Sequence, residues 1–430
     1  MLEKAKAIQD QLIAWRRDFH MHPELGFQET RTAAIVADTL EKLGCRVRRG
    51  VGKTGVVAEL GEGKPVIAMR ADMDALPIQE ANAVPYASQN PGVMHACGHD
   101  AHTTILLGVA SLLSKESFPG TVRFLFQPSE EAADEEGISG APRMIRDGAI
   151  DGVDMVLALH VDPTYAVGDI SNQAGAASGG VDSWFGRVIG KGGHGAMPQD
   201  AIDPIFISAQ VIFAINGIVS RRLDPFNPAV VSIGAIHAGQ AENVIPGAVE
   251  FAGTLRYTEA EVQKAIHTEL THAFSLARVL GGDYELRFEI GMPPMINHPN
   301  AVELIQQTAV ALLGEGHIVA PRKGLGAEDF GCFSELVPGA MFGLGVRADG
   351  DLRYPHNPHF DIDERALPIG TAILAESALR FLIRESSVVS RQSLAETIIY
   401  PIPSLYSLLP TPDSPLPTTH YPLENLCTQF

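Results

Sequence analysis

Four short apolar runs, Gly55–Leu60, Pro65–Arg70, Thr121–Gln127 and Met155–His160, alternate with helix-like stretches along the first part of the chain. Strands that alternate with helices specify a layered α/β fold with a largely parallel sheet, because each parallel neighbour needs a crossover that a helix supplies. Ala5, Ile8, Leu12, Trp15 and Phe19 recur at three- and four-residue intervals, which predicts an amphipathic helix over residues 3–19, stopped by His22-Pro23. A second helix is expected from Glu29 to Leu43, with Gly44 as its C-terminal cap. Thr103–Ser114 reads as a buried helix.

The texture changes near residue 180. Trp184–Ile189, Ala229–Ala238, Gly247–Thr254 and Tyr284–Ile290 read as strands, with helices over Pro204–Val219 and residues 259–280. That β-α-β-β-α-β order is the order of a ferredoxin-like sandwich. Residues 181–290 are therefore expected as an inserted α+β domain, with 1–180 and 291–385 as the two parts of the first domain. Beyond 386 the prolines at 401, 403, 410, 412, 415, 417 and 422 interrupt every candidate helix, so 386–430 is expected to lack regular structure.

Composition narrows the function classes. The net charge of −19 argues against nucleic acid or an anionic membrane as the main partner. The start, Met-Leu-Glu-Lys-Ala-Lys, lacks a secretory pattern, and no apolar run reads as membrane-spanning. Cys45, Cys97, Cys332 and Cys427 are scattered, which disfavours a disulfide framework and fits a reducing cytoplasm that keeps the Cys97 thiol free.

Residues 94–102, Met-His-Ala-Cys-Gly-His-Asp-Ala-His, concentrate metal-capable side chains. Cys97 and His99 flank a glycine, so a tight turn can aim a thiolate and an imidazole at one point. Glu130-Glu131 follows a strand-like run, His160 ends another, and His356 stands in a late His-Asn-Pro. In α/β sheets such ligand residues gather where strands end. The expected metal ligands are Cys97, His99, Glu131, His160 and His356, holding two divalent ions, for which Zn²⁺, Mn²⁺, Co²⁺ and Ni²⁺ suit the donors. Adjacent Glu130 points the other way on an extended segment and becomes the general base. Asp72, Asp74 and Asp100 are expected to orient ligand imidazoles. His194, on a Gly-rich loop, is a donor for an oxyanion; Asn243 and Arg256 are candidates for binding a substrate carboxylate.

Together these segments resemble the aminoacylase/carboxypeptidase family of dinuclear metalloamidases, in its hippurate hydrolase and auxin-conjugate amidohydrolase branch. The matching stretches are 17–25, 70–77, 95–102, 127–131, 192–198, 242–246 and His356-Asn357-Pro358. The resemblance implies a zinc-peptidase-like catalytic domain with two metals, and a lid that commonly mediates dimerisation. It implies the same five ligands, Glu130 as base, and His194 as a lid histidine often donated by a partner subunit. Ser129 departs from the alanine usual in the branch.

The expected function is metal-dependent hydrolysis of N-acyl amino acids by a homodimer or homotetramer. The alternatives are a metallo-carboxypeptidase or dipeptidase, an inactive metal-binding assembly protein, and a redox role for Cys97, which lacks a nearby resolving cysteine.

Overall fold

The computed structural model describes residues 1–348 and 352–397. Its larger sheet contains β1 (Arg46–Val51), β2 (Gly55–Glu62), β3 (Val66–Asp72), β4 (Gly120–Gln127), β5 (Met155–Ala166), β6 (Ile170–Ser171), β15 (Ile318–Val319) and β16 (Gly339–Arg347). The order is β1-β2-β4-β3-β5-β16-β6-β15, and the central four strands, β4, β3, β5 and β16, run parallel. All residues of β3 are buried, as an interior strand covered on both faces requires. Ile67, Met69 and Ala71 join the core under α2 (Gln9–Met21), α3 (Thr30–Lys42) and α4 (His99–Leu113). Ala68 faces a second core with Met144 of α5 (Gly140–Arg146) and Phe330 and Phe333 of α9 (Phe330–Leu336).

Three differences from the sequence reading bear on the site or its surroundings. The first helix is broken: α1 (Leu2–Lys6) and α2 are separated at Ala7 and Ile8, and Ala5 and Leu12 are both fully buried. Helix α4 starts at His99, before the expected Thr103, so His99, Asp100 and His102 occupy its first turn. Strand β5 runs on to Ala166, so His160 stands within a strand, opposite Gly343 of β16, instead of ending one.

The second sheet pairs β10 (Ala229–Ala238), β12 (Ala248–Tyr257), β8 (Gly180–Ile189) and β13 (Asp283–Ile290) in that order, all antiparallel. Helices α6 (Pro204–Arg221) and α7 (Ala260–Val279) cover one face, burying Trp184, Phe251 and Phe274. This is the expected ferredoxin-like arrangement. Among the described residues two ribbons complete the strands: β9 (Gly193–His194) with β11 (Val244–Ile245), and β7 (Gly175–Ala176) with β14 (Ile296–Asn297).

Helix α8 (Pro299–Leu313) packs on β16, and α10 (Leu367–Thr397) crosses the boundary expected at 386. The reason is local: 386–397 contains no proline, the first being Pro401. The rest of the expected irregular tail, 398–430, lies outside the described residues. Contrary to the sequence reading, Pro204–Arg221 and Glu364–Ser387 are long and apolar enough by composition to cross a membrane. Both contribute buried side chains to the cores, Ile207, Val211 and Ile215 in one, Ile373, Leu374 and Leu382 in the other.

Candidate active site

The site is organised by the turn into α4. Gly98 caps that helix at φ +93°, where a Cβ would lie 2.3 Å from Val161 Cγ2. Glycine alone fits, and it swings Cys97 and His99 toward β5. Cys97 Sγ lies 3.4 Å from His160 Nε2. His160 Nδ1 donates to the Val161 carbonyl at 2.8 Å, leaving Nε2 with its lone pair toward the cysteine. His99 Nδ1 lies 3.1 Å from Asp74 Oδ1, which fixes its proton there and turns Nε2 inward.

The acidic pair follows β4 through Ser129, whose φ of +44° is left-handed. That strained residue donates its N–H to buried Glu29 and its hydroxyl to the Ala132 carbonyl. Glu131 N–H then donates to Asp74 Oδ2 at 3.0 Å. Glu131 Oε1 comes within 3.0 Å of His356 Nε2 and 4.0 Å of His99 Nε2. His356 is also left-handed, at φ +60°, and its N–H is bonded to Ala96 O at 2.8 Å. Thus Cys97, His99 and His160 form one group of close donor atoms, and Cys97, Glu131 and His356 another. All five expected ligands converge.

His99 Nε2 is buried without a hydrogen bond, 3.7 Å from Asp72 Oδ2 and 4.0 Å from Glu131 Oε1, while Glu131 Oε1 meets the His356 ring, at 3.0 Å. A buried polar atom left unsatisfied is costly, and its pairing with a cation explains it here. The residues therefore fit a metal centre. Burial pushes the Cys97 thiol up. Burial also opposes charge on His99, but Asp72 and Asp74 outweigh it and raise that pKa. Glu130 is raised by burial and by Glu328 and Asp329; Glu131 is lowered, as His356 and His99 overcome burial.

Glu130 groups with Glu328 and Asp329 on one side, and with His99 and Glu131 on the other. Arg70 binds the first group: Nη2 lies 3.0 Å from Glu328 Oε1 and from Asp329 Oδ1, while Nη1 donates to Asp72 Oδ2 at 2.5 Å. Sequence reasoning missed Glu328 and Asp329, although an acidic pair directly before an apolar helix was the available signal. Asp74, expected to orient a ligand imidazole, is the carboxylate beside His99 Nδ1. Asp72 Oδ1 lies 2.6 Å from Nδ1 of His102, whose Nε2 accepts from Val161 N–H, and Asp72 Oδ2 faces His99 Nε2 at 3.7 Å. The expected role of Asp100 is corrected: it lies 2.6 Å from His20 Nδ1 and 3.0 Å from Arg16 Nε, because the first turn of α4 points it toward α2.

A chamber of about 760 Å³ opens onto this cluster, lined by Cys97, Glu130, Glu131, His160 and His356 and by Arg256 of β12. His194 and Asn243 do not line it. They sit together on the β9–β11 ribbon, where Val244 pairs with His194 and Gly195 N–H donates to Asn243 O.

The model of peptidase family M20/M25/M40 matches residues 68–380. The chain belongs to that family. Among its M20 relatives, thermostable carboxypeptidase 2 of Saccharolobus solfataricus is 39% identical over 87% of this chain and 96% of its own length. N-acetyl-L-cysteine deacetylase of Bacillus subtilis is 38% identical over 87% and 89%. The crystal structure of the Bacillus subtilis YXEP protein, described as a dinuclear metal-binding M20 peptidase, superposes with a TM-score of 0.76 at 35% identity, covering 88% of this chain and 99% of that one. Family membership and donor set together make this M20 protein a metal-dependent hydrolase of amide bonds.

Proposed function

We propose that the chain hydrolyses N-acyl amino acids, with two divalent cations held by Cys97, His99, Glu131, His160 and His356. The observation that carries this reading is the convergence of the donor atoms of Cys97, His99, Glu131, His160 and His356, with His99 Nε2 buried and without a hydrogen bond 4.0 Å from Glu131 Oε1. Thiolate, imidazole and carboxylate donors suit Zn²⁺, Mn²⁺, Co²⁺ or Ni²⁺. Such a pair, when bound, lowers the pKa of water and polarises an amide carbonyl. Glu130, beside the ligand set but also adjoining Glu328 and Asp329, takes the water's proton and returns it to the leaving nitrogen. Asp74 holds His99 and the Glu131 backbone in register, and Arg256 pairs with the substrate's α-carboxylate. Deacetylation is the activity that the name of the Bacillus relative gives, and the same chemistry serves here.

The working form in this reading is a homodimer. Its support is the apolar surface left open on α6 and edge strand β10, where Phe206, Phe213, Val230 and Ile236 are exposed. A second copy bringing its His194 and Asn243 would complete an oxyanion and carboxylate site that the single chain lacks. The free thiols Cys45, Cys97 and Cys332 suit a reducing cytoplasm.

The test is a substrate panel with added Mn²⁺, Co²⁺ or Zn²⁺. Release of amino acids from N-acetyl amino acids and hippurate supports the reading. Cleavage of dipeptides alone assigns the chain to the carboxypeptidase or dipeptidase alternative, and no cleavage overturns both.

A further inference from the structure

A second cavity, of about 520 Å³, adjoins the catalytic chamber and shares Ala177, Arg322 and Gly324 with it. Among the described residues its charged lining is one-sided: Arg322 and Lys323 contribute, and no aspartate or glutamate does. That contrast is informative in a chain of net charge −19. The chamber, by contrast, has a mixed lining, with Glu130, Glu131, Asp162 and Glu328 beside Arg256 and Arg322. Neither Arg256, Arg322 nor Lys323 has an ion-pair partner among the described residues. These three cations, without an ion-pair partner among the described residues, mark a path from the chamber into the adjoining cavity.

Strand register tells which half of the substrate this path receives. On the second sheet Val230 pairs with Arg256 and Ala229 with Tyr257. The next residues outward on the two strands, Pro228 and Thr258, both line the second cavity. The cavity therefore continues beyond the Arg256 end of the sheet, next to the α-carboxylate of the leaving amino acid, not beside its acyl group. We infer that the leaving amino acid carries a second carboxylate, received by Arg322 and Lys323, so that N-acyl glutamate and N-acyl aspartate are the preferred substrates. This rests on the proposed pairing of Arg256 with the α-carboxylate. Leu325 and Pro228 supply apolar contact for the side-chain methylenes, and the cations read the charge beyond them.

N-acetylglutamate and N-acetylglutamine test this, because they match in size and differ in one charge. The readout is the ratio of their kcat/KM values, which cancels general losses of activity. Wild type should favour glutamate by about tenfold or more, as a charge-assisted pair at a partly open site warrants. The double variant R322A/K323A should bring the ratio to about one, and R322E/K323E should invert it. A wild-type ratio near one, or a ratio that the variants leave in place, overturns the inference while the amidohydrolase reading stands. Failure of wild type to cleave either compound or any other N-acyl amino acid overturns both together.

Discussion

Asp74 Oδ1 sits 3.1 Å from His99 Nδ1, and its other oxygen accepts the Glu131 backbone N–H at 3.0 Å. One carboxylate thus sets the tautomer of one proposed ligand and the backbone position of another. Replacing Asp74 by Asn keeps the shape but turns an amide toward one of these donors. Metal affinity should fall about 10- to 100-fold, as loss of an orienting partner does elsewhere. Competition against a chelator measures it, and unaltered affinity would show that His99 needs no such support.

Glu130 is the proposed proton carrier and is left out of the five-ligand set. Glu130→Gln should retain both metals and lower kcat by about a hundred- to ten-thousandfold. Elemental analysis alongside steady-state kinetics separates the two effects. Loss of metal in parallel with activity would reassign Glu130 as a ligand.

Arg70 is buried among Asp72, Glu328 and Asp329. Removing it strands three carboxylates in a low-dielectric interior. Arg70→Met should therefore destabilise the fold by about 3–5 kcal/mol. Denaturant unfolding checks this, and a loss below about 1 kcal/mol would mean water reaches the network.

Glu29 gives a pH signature away from the ligands. Burial pushes its carboxyl up to about 7 from an ordinary value of 4.5, against the opposing hydrogen bond from Thr54. A raised folded-state pKa means the folded form holds its proton longer than the unfolded form. The contribution is thus fully present below about pH 4.5 and is lost as pH rises to about 7, at up to about 1.4 kcal/mol per pH unit. Glu29→Gln should gain stability relative to wild type across that interval. Parallel stability curves from pH 4 to 8 would contradict the assignment.

Much of this was legible in the sequence, and the misses have physical causes. The apolar runs around β3 and β4 announce interior strands, and the Cys97-Gly98-His99 turn announces its donors, since both signals are local. The start of α4 was misjudged because its first turn, His99 to His102, is polar yet fully buried; its helical period carries no apolar contrast there. Glu328 and Asp329 were overlooked because only tertiary packing carries them to Arg70, 258 residues away for Glu328. The placement of His194 and Asn243 on a ribbon apart from the chamber could not be read from spacing, because strand pairing between β9 and β11 decides it.

Metal stoichiometry is the most direct test of the whole account. Protein stripped of metal and reloaded with Co²⁺ should bind two ions per chain, with a thiolate-to-cobalt absorption band that disappears in Cys97→Ser. A chain that binds no cobalt, or binds it identically with and without the Cys97 sulfur, would contradict the convergence of these five side chains on a metal pair.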